Sequence, residues 1–341
     1  FKIPLTKLHI GKSGIDSVTQ VIKSGWIMQG KKVKEFENKF AEYTGAKYAI
    51  AVSSGTAALH LSLLAAGIKS GDEVICPSLS FVATANSIFL SGAKPVFADI
   101  NKNDINISLE DAAKRITPKT KAIMIVHQIG YPADIFGFKK LCKENNLILI
   151  EDAACALGAT YNGKKIGSHS DLVCFSFHPR KVITTGEGGM ITTSRKEYYE
   201  KITALRQHGK YFNKNSDDES KYLEPGFNYR MTDIAASLGI NQLENIESFL
   251  SKRKEIAKIY NNKFSANKYF SFLPQDSRAD INNQSYCLIL KNGLEKKRNK
   301  LVGYLNKNGI GAGVGITAIH RMPAYKSKLI LKNTEKISNE S

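Results

Sequence analysis

The chain is poor in cysteine, in long apolar runs and in acidic residues. Its five cysteines, Cys76, Cys142, Cys155, Cys174 and Cys287, are odd in number and form no Cys-x-x-Cys pair. That argues against a zinc site and a disulfide framework, and it fits the reduced thiols of a cytoplasmic protein. No apolar run reaches the roughly 18 residues that a membrane-spanning helix requires. The start, Phe1-Lys2-Ile3-Pro4-Leu5, leads into no long apolar region or cleavage site, so it does not read as a signal peptide. The first residue is not Met, so we expect a trimmed start from which early targeting is unreadable.

Acidic residues number 31 against 49 basic ones, a formal net charge of +18. Such a balance suits a polyanionic partner such as nucleic acid. Yet 40 of the basic residues are Lys, only 9 are Arg, and the lysines run along the whole chain. Nucleic-acid binders cluster their basic residues and favour Arg at base edges. We therefore read the charge as a solvated surface that also draws small anions toward a cleft, and expect neither a nucleic-acid nor a membrane partner.

Hydrophobic residues make up 42% of the 341, enough for a large core and more than one domain. Strand-like and helix-like runs alternate through the first two-thirds. Strands are expected at 48–52, 73–76, 94–98, 122–126 and 147–150, and helices at 56–66, 81–90 and 136–144. Such alternation predicts an α/β fold with a largely parallel sheet covered by helices. Ligands gather at the carboxyl ends of such strands. The character changes after about residue 245. A long charged helix is expected over 246–264, a strand over 286–290, a helix over 295–306 and a glycine-rich strand over 311–315. The polar stretch 210–221 reads as an exposed, mobile loop.

One segment carries the clearest chemistry: Ser176-Phe177-His178-Pro179-Arg180-Lys181-Val182-Ile183-Thr184-Thr185-Gly186-Glu187-Gly188-Gly189. A lysine held in a partly dry site keeps a neutral amine that attacks carbonyls. The Ser176 hydroxyl and the glycine-permitted amides suit a phosphate. Together they suggest a lysine joined to a phosphorylated aldehyde cofactor. A surface loop with a solvated lysine fits the same residues, and the segment alone leaves both open. Ser53-Ser54-Gly55-Thr56-Ala57-Ala58 lies between a strand and a helix. It suits either phosphate on a helix N-terminus or an ordinary helix cap. Glu151-Asp152 follows a strand, where a carboxylate could keep a pyridine nitrogen protonated, ligate a metal, anchor a ribose or cap a helix. Phe81 heads a helix and suits either stacking on a flat cofactor or core packing.

In this order these elements resemble the sugar-nucleotide aminotransferases of the DegT/DnrJ/EryC1/StrS group, which share the fold type I architecture of pyridoxal-phosphate enzymes. The resemblance also takes in Ser24-Gly25-Trp26, Gly30, Val33-Lys34-Glu35-Phe36-Glu37 and Ser54 to Leu59. It continues through Gly71-Asp72-Glu73-Val74-Ile75, Glu151-Asp152-Ala153-Ala154 and Gly226-Phe227-Asn228-Tyr229-Arg230-Met231-Thr232-Asp233. It implies pyridoxal 5'-phosphate bound to Lys181 as a Schiff base, with Asp152 facing the pyridine nitrogen. Gly55, Thr56 and Ser176 would hold the phosphate, and Phe81 would cover the ring. Asn228 would reach the phosphate of a neighbouring subunit, in a homodimer with shared active sites. Trp26, Arg230 and His320 would lie near a nucleotide-sugar substrate, and glutamate would be the amino donor.

The resemblance further implies a large cofactor-binding domain over 1–245, its N-terminal ~30 residues packing with the small domain, and a small α+β domain over 246–341. The chain departs from the family at Cys155, where Gln often contacts the cofactor ring hydroxyl, and at Ile27-Met28-Gln29, where small hydroxyl residues are common. Family members continue beyond the last residues here, so a truncated small domain is expected. A sugar dehydratase of the same fold is the nearest rival. Those relatives carry histidine in place of the lysine, whereas here Lys181 holds the position and His178 stands three residues too early. A cysteine desulfurase would need a cysteine in a mobile glycine-rich loop, and none is evident. A catalytically silent cofactor-binding regulator remains a second alternative.

Overall fold

The alternating apolar runs become a seven-stranded sheet. The computed structural model describes residues 1–101, 104–211, 221–273 and 276–340. Helices α1 (Lys12–Lys23) and α2 (Lys31–Thr44) come first. There follow β1 (Tyr48–Val52), α3 (Gly55–Ala65), β2 (Glu73–Pro77), α4 (Ala83–Leu90), β3 (Lys94–Ala98), α5 (Leu109–Lys114), β4 (Thr120–Val126), α6 (Ile135–Glu144) and β5 (Ile148–Asp152). A hairpin of β6 (Thr160–Tyr161) and β7 (Lys164–Lys165) leads to β8 (Leu172–Ser176), β9 (Gly189–Thr193) and α7 (Lys196–Leu205).

The strand order is β1-β9-β8-β5-β4-β2-β3. Neighbours from β8 to β3 are parallel, while β9 runs against both β8 and β1. Both faces of the sheet are covered, which is why its strands are nearly all apolar. Alternation along β1 sends Ala49 and Ala51 to one core layer and Ile50 and Val52 to the other. In the first layer Phe40 meets Phe175 with ring centroids 5.1 Å apart, and Phe36 meets Phe177 at 5.4 Å. These contacts fasten α2 beside Ser176, at the end of β8. In the second layer α3 is buried on almost every side, so its sequence is apolar rather than amphipathic.

A buried ion pair ties α2, β1 and α7 together. Arg206 Nη1 lies 2.6 Å from Glu37 Oε1 and donates to the Ala51 carbonyl at 2.6 Å, and Glu37 Oε1 also accepts the Ala51 amide at 3.0 Å. Removing one partner strands a buried charge, which costs about 3–5 kcal/mol. We expect Arg206→Met to lower stability by that order in urea unfolding. A midpoint equal to wild type would show that the pair contributes nothing.

The C-terminal third holds β10 (Lys210–Tyr211), β11 (Lys221–Tyr222), α8 (Asp233–Glu244), α9 (Ile246–Phe264), β12 (Phe270–Ser271), β13 (Ala279–Asp280), β14 (Ile289–Leu290), α10 (Arg298–Lys307) and α11 (Lys332–Glu340). The loop expected over 210–221 is corrected at its ends, where β10 and β11 pair antiparallel, and its middle, 212–220, lies outside the described residues. The strand expected over 286–290 shrinks to β14, paired with β12. The strand expected over 311–315 does not form; Gly311, lacking a side chain, instead comes close to Leu5, and its amide donates to the Ile3 carbonyl at 2.7 Å. Strand β13 crosses back to pair with β6. Asp99, after β3, accepts the Thr334 amide at 2.7 Å and so holds the start of α11. No helix among the described residues is long and apolar enough to cross a membrane.

Candidate active site

The ends of β1, β5 and β8 bring three of the expected groups to one edge of the sheet. After β1, Ser54 caps α3, its Oγ accepting the Ala57 amide at 3.1 Å. Gly55 and Thr56 begin that helix, where amides have no partner within the helix and the dipole favours an anion. Gly55 is required by the packing: a Cβ there would sit 2.8 Å from Ser176 Cβ. The missing side chain lets the helix start close on the serine that ends β8.

Lys181 sits in a tight loop after β8. Its amide donates to the His178 carbonyl at 2.8 Å, and the Thr184 hydroxyl donates to the Phe177 carbonyl at 2.9 Å. From this loop Lys181 Nζ donates to Cys155 Sγ at 3.1 Å. Cys155 lies three residues beyond Asp152, the last residue of β5. The Asp152 carboxyl is buried and accepts the Thr84 hydroxyl at 2.9 Å and the Ala154 amide at 3.1 Å. Burial pushes its pKa up. The Ala154 and Thr84 hydrogen bonds and the Lys181 charge oppose that rise without cancelling it.

Beside Asp152 lies a pair that sequence reading passed over. Fully buried His127 and Glu151 meet at 2.8 Å, and the His127 amide donates to the Asp152 carbonyl at 3.0 Å. His127 Nδ1 accepts the Ala133 amide at 3.0 Å, which leaves Nε2 to donate to Glu151. Burial alone would raise the Glu151 pKa, but the hydrogen bond from His127, with further help from Ser170, holds the carboxylate below its usual range. The pair locks the end of β4 to β5 and fixes where Asp152 stands. Thr84 was missed as well. It lies one turn beyond Phe81, whose carbonyl accepts the Thr84 amide at 3.2 Å. The ring of Phe81 is 77% exposed ahead of α4.

Asn228 is exposed, on a segment held along the end of β1 by the Ser53 amide, which donates to the Tyr229 carbonyl at 2.8 Å. Arg230 forms a bridge with Val52 on the same segment. Trp26 is exposed, with its indole N–H 3.3 Å from the Gln29 carbonyl. Asp233 then joins the two loops, accepting the Gly30 amide at 2.8 Å. His320 packs against Ser78, just after β2. It is wholly buried, with Nδ1 2.6 Å from Ser78 Oγ and Nε2 3.1 Å from Glu335 Oε1. Both ring nitrogens are engaged, so in this arrangement it has no free edge for a sugar nucleotide.

The model of the DegT/DnrJ/EryC1/StrS aminotransferase family matches residues 9–341. The chain belongs to this family. This family member is 38% identical to the GDP-perosamine synthase of Escherichia coli O157:H7, over 96% of this chain and 88% of that one. Its fold matches PseC of Helicobacter pylori, an aminotransferase of pseudoaminic acid biosynthesis, with a TM-score of 0.93 and 31% identity, covering 99% of this chain and 92% of that one. It matches the putative sugar aminotransferase Spr1654 of Streptococcus pneumoniae, solved in its PLP form, with a TM-score of 0.93 and 30% identity, covering 100% and 92%. It is thus an aminotransferase of fold type I, and its cofactor is pyridoxal 5'-phosphate. The site fits that group, since a lysine amine, a buried carboxylate and a helix start pressed against a serine are its natural partners.

Proposed function

We propose that this aminotransferase moves an amino group from glutamate to a nucleotide-linked keto sugar, a 4-keto-6-deoxyhexose in the first instance. The observation that carries the reading is the meeting of the Lys181 amine with Cys155, three residues beyond buried Asp152. The relation to an enzyme named for a GDP-linked sugar supports the substrate class. When bound, pyridoxal phosphate supplies an electron sink for the electrons released at the donor carbon.

In this reading Lys181 would hold the cofactor covalently, and its amine, when free, would move the proton taken from the donor. Asp152 would face the pyridine nitrogen, with Thr84 and Ala154 fixing its two oxygens. Gly55, Thr56 and Ser176 would bind the phosphate, Phe81 would cover the ring, and Cys155 would stand where the ring hydroxyl needs a partner. Asn228, already exposed, reaches the phosphate of a second copy in a homodimer, while Trp26 and Arg230 face the sugar nucleotide. His320 serves the fold more directly than the substrate. In this reading the enzyme is cytoplasmic and supplies an amino sugar to a surface polysaccharide.

Glutamate alone should bleach the visible absorbance of the lysine-bound cofactor and release one keto acid per site. A keto sugar added next should restore the absorbance, as ping-pong transfer requires. Screening GDP-, UDP- and dTDP-linked keto sugars identifies the acceptor. Stable absorbance in glutamate would favour a silent cofactor-binding regulator instead.

A further inference from the structure

Lys181 and Cys155 sit on separate loops, and a third segment grips both. Asn282 is 3% exposed and uses its whole amide. Its Nδ2 donates to the Cys155 carbonyl at 2.7 Å and to the Leu157 carbonyl at 2.9 Å, while its Oδ1 accepts the Gln284 amide at 3.0 Å. Gln284 Nε2 then donates to the carbonyl of Arg180, the residue before Lys181, at 2.8 Å. With the contact between Lys181 Nζ and Cys155 Sγ, these bonds close a ring through both loops.

The segment is itself held on two sides. Strand β13, two residues before Asn282, is paired with β6. From α9, Arg253 Nη1 donates to the carbonyls of Asn283 at 3.3 Å and Gln284 at 3.0 Å. Position 130 leaves the space: Gly130 has φ +97°, and a Cβ there would collide with Asn282 Oδ1.

We propose that Asn282 and Gln284 are positioning residues that set the reach of Lys181 and Cys155 relative to each other. The proposal rests on the catalytic reading of Lys181. A buried asparagine that binds carbonyls on one loop, linked to a glutamine that binds the other, fixes their separation more tightly than either loop's own turn. Misplacing a reacting group by about 1 Å can cost on the order of 100-fold in rate.

The test uses the full chain loaded with pyridoxal phosphate and three variants. Gln284→Met removes the donor to Arg180 at similar length. Asn282→Asp keeps the acceptor for the Gln284 amide but turns a carboxylate toward two carbonyls. Gly130→Ala crowds Asn282 from the opposite side. For Gln284→Met and Gly130→Ala we expect kcat to fall about tenfold or more, with KM for glutamate within about twofold. The pH midpoint of the visible absorbance should move by about half a unit or more, because the amine's surroundings change. Asn282→Asp should show the larger loss of kcat, and if it does not fold, the other two variants decide.

Wild-type kcat and midpoint in Gln284→Met and Gly130→Ala would overturn the proposal, even if their Tm fell, since that pattern marks a purely structural role. Failure of the catalytic reading looks different. The wild-type protein itself would then show no lysine-bound absorbance and no amine transfer.

Discussion

Lys181→Ala is expected to lower amine transfer by about 10^3-fold or more, the scale of losing a positioned acid–base group together with a covalent anchor. The folded protein should survive. The hydrogen bond that Lys181 Nζ makes is to Cys155 Sγ, and its loop is closed by backbone and threonine bonds that do not involve the side chain. Urea midpoints should therefore stay near wild type. Cofactor should still be retained through the helix start and Ser176, yet without the visible absorbance of the lysine-bound form. Lys181→Arg sharpens the result. Arginine keeps the charge and the hydrogen-bond donors but does not lose a proton at working pH. If charge alone mattered, the arginine variant would be active. Loss in both variants would assign the role to a neutral amine, and full turnover in Lys181→Ala would end the assignment.

Much of this site was legible in the sequence because its parts are local. Each strand is a short apolar run, and each site group stands at or just beyond a run's end. Residues 48–52, 94–98 and 246–264 form the expected elements with the expected bounds. Gly55 and Ser176 stand as phosphate candidates from their neighbours, but a helix cap or a surface loop fits the same residues, and only the resemblance favours the phosphate. What escaped was long-range. Thr84 reaches Asp152 only because α4, packed on α3, β3 and β2, carries it to the end of β5, and nothing near Thr84 announces it. His127 and Glu151 pair across adjacent strands, and a histidine after a strand has many bland uses. Asn282 and Gln284 lie more than a hundred residues from the loops they hold. His320 shows the opposite limit: the resemblance suggested a substrate contact, while Ser78 and Glu335 occupy both of its nitrogens. The segment 311–315 reads as a strand in the sequence, but in the structure Gly311 serves close backbone approach to the N-terminal segment instead.

Asp152→Asn should separate stability from activity. Burial raises the Asp152 pKa above its usual 3.8 in the cofactor-free protein, against the pull of Ala154, Thr84 and Lys181. Between the unfolded and folded values, the folded protein holds the extra proton, so stability falls as pH rises through that window. Above it the folded protein carries a carboxylate largely shielded from water. Asparagine removes that charge while keeping an oxygen for the Thr84 or Ala154 donor. The cofactor-free variant should therefore be the more stable protein at pH 7, with Tm higher by about 2 °C, and the difference should shrink toward pH 4. Activity should move the other way. Without an anion against the ring nitrogen, the electron sink weakens, and kcat should fall about 100-fold or more although cofactor stays bound. Thermal melts of both proteins across pH, beside turnover of the loaded enzymes, check the two halves separately. A variant with wild-type kcat would remove Asp152 from the chemistry. A variant less stable than wild type at pH 7 would mean that Thr84 and Ala154 more than offset the cost of burying the charge.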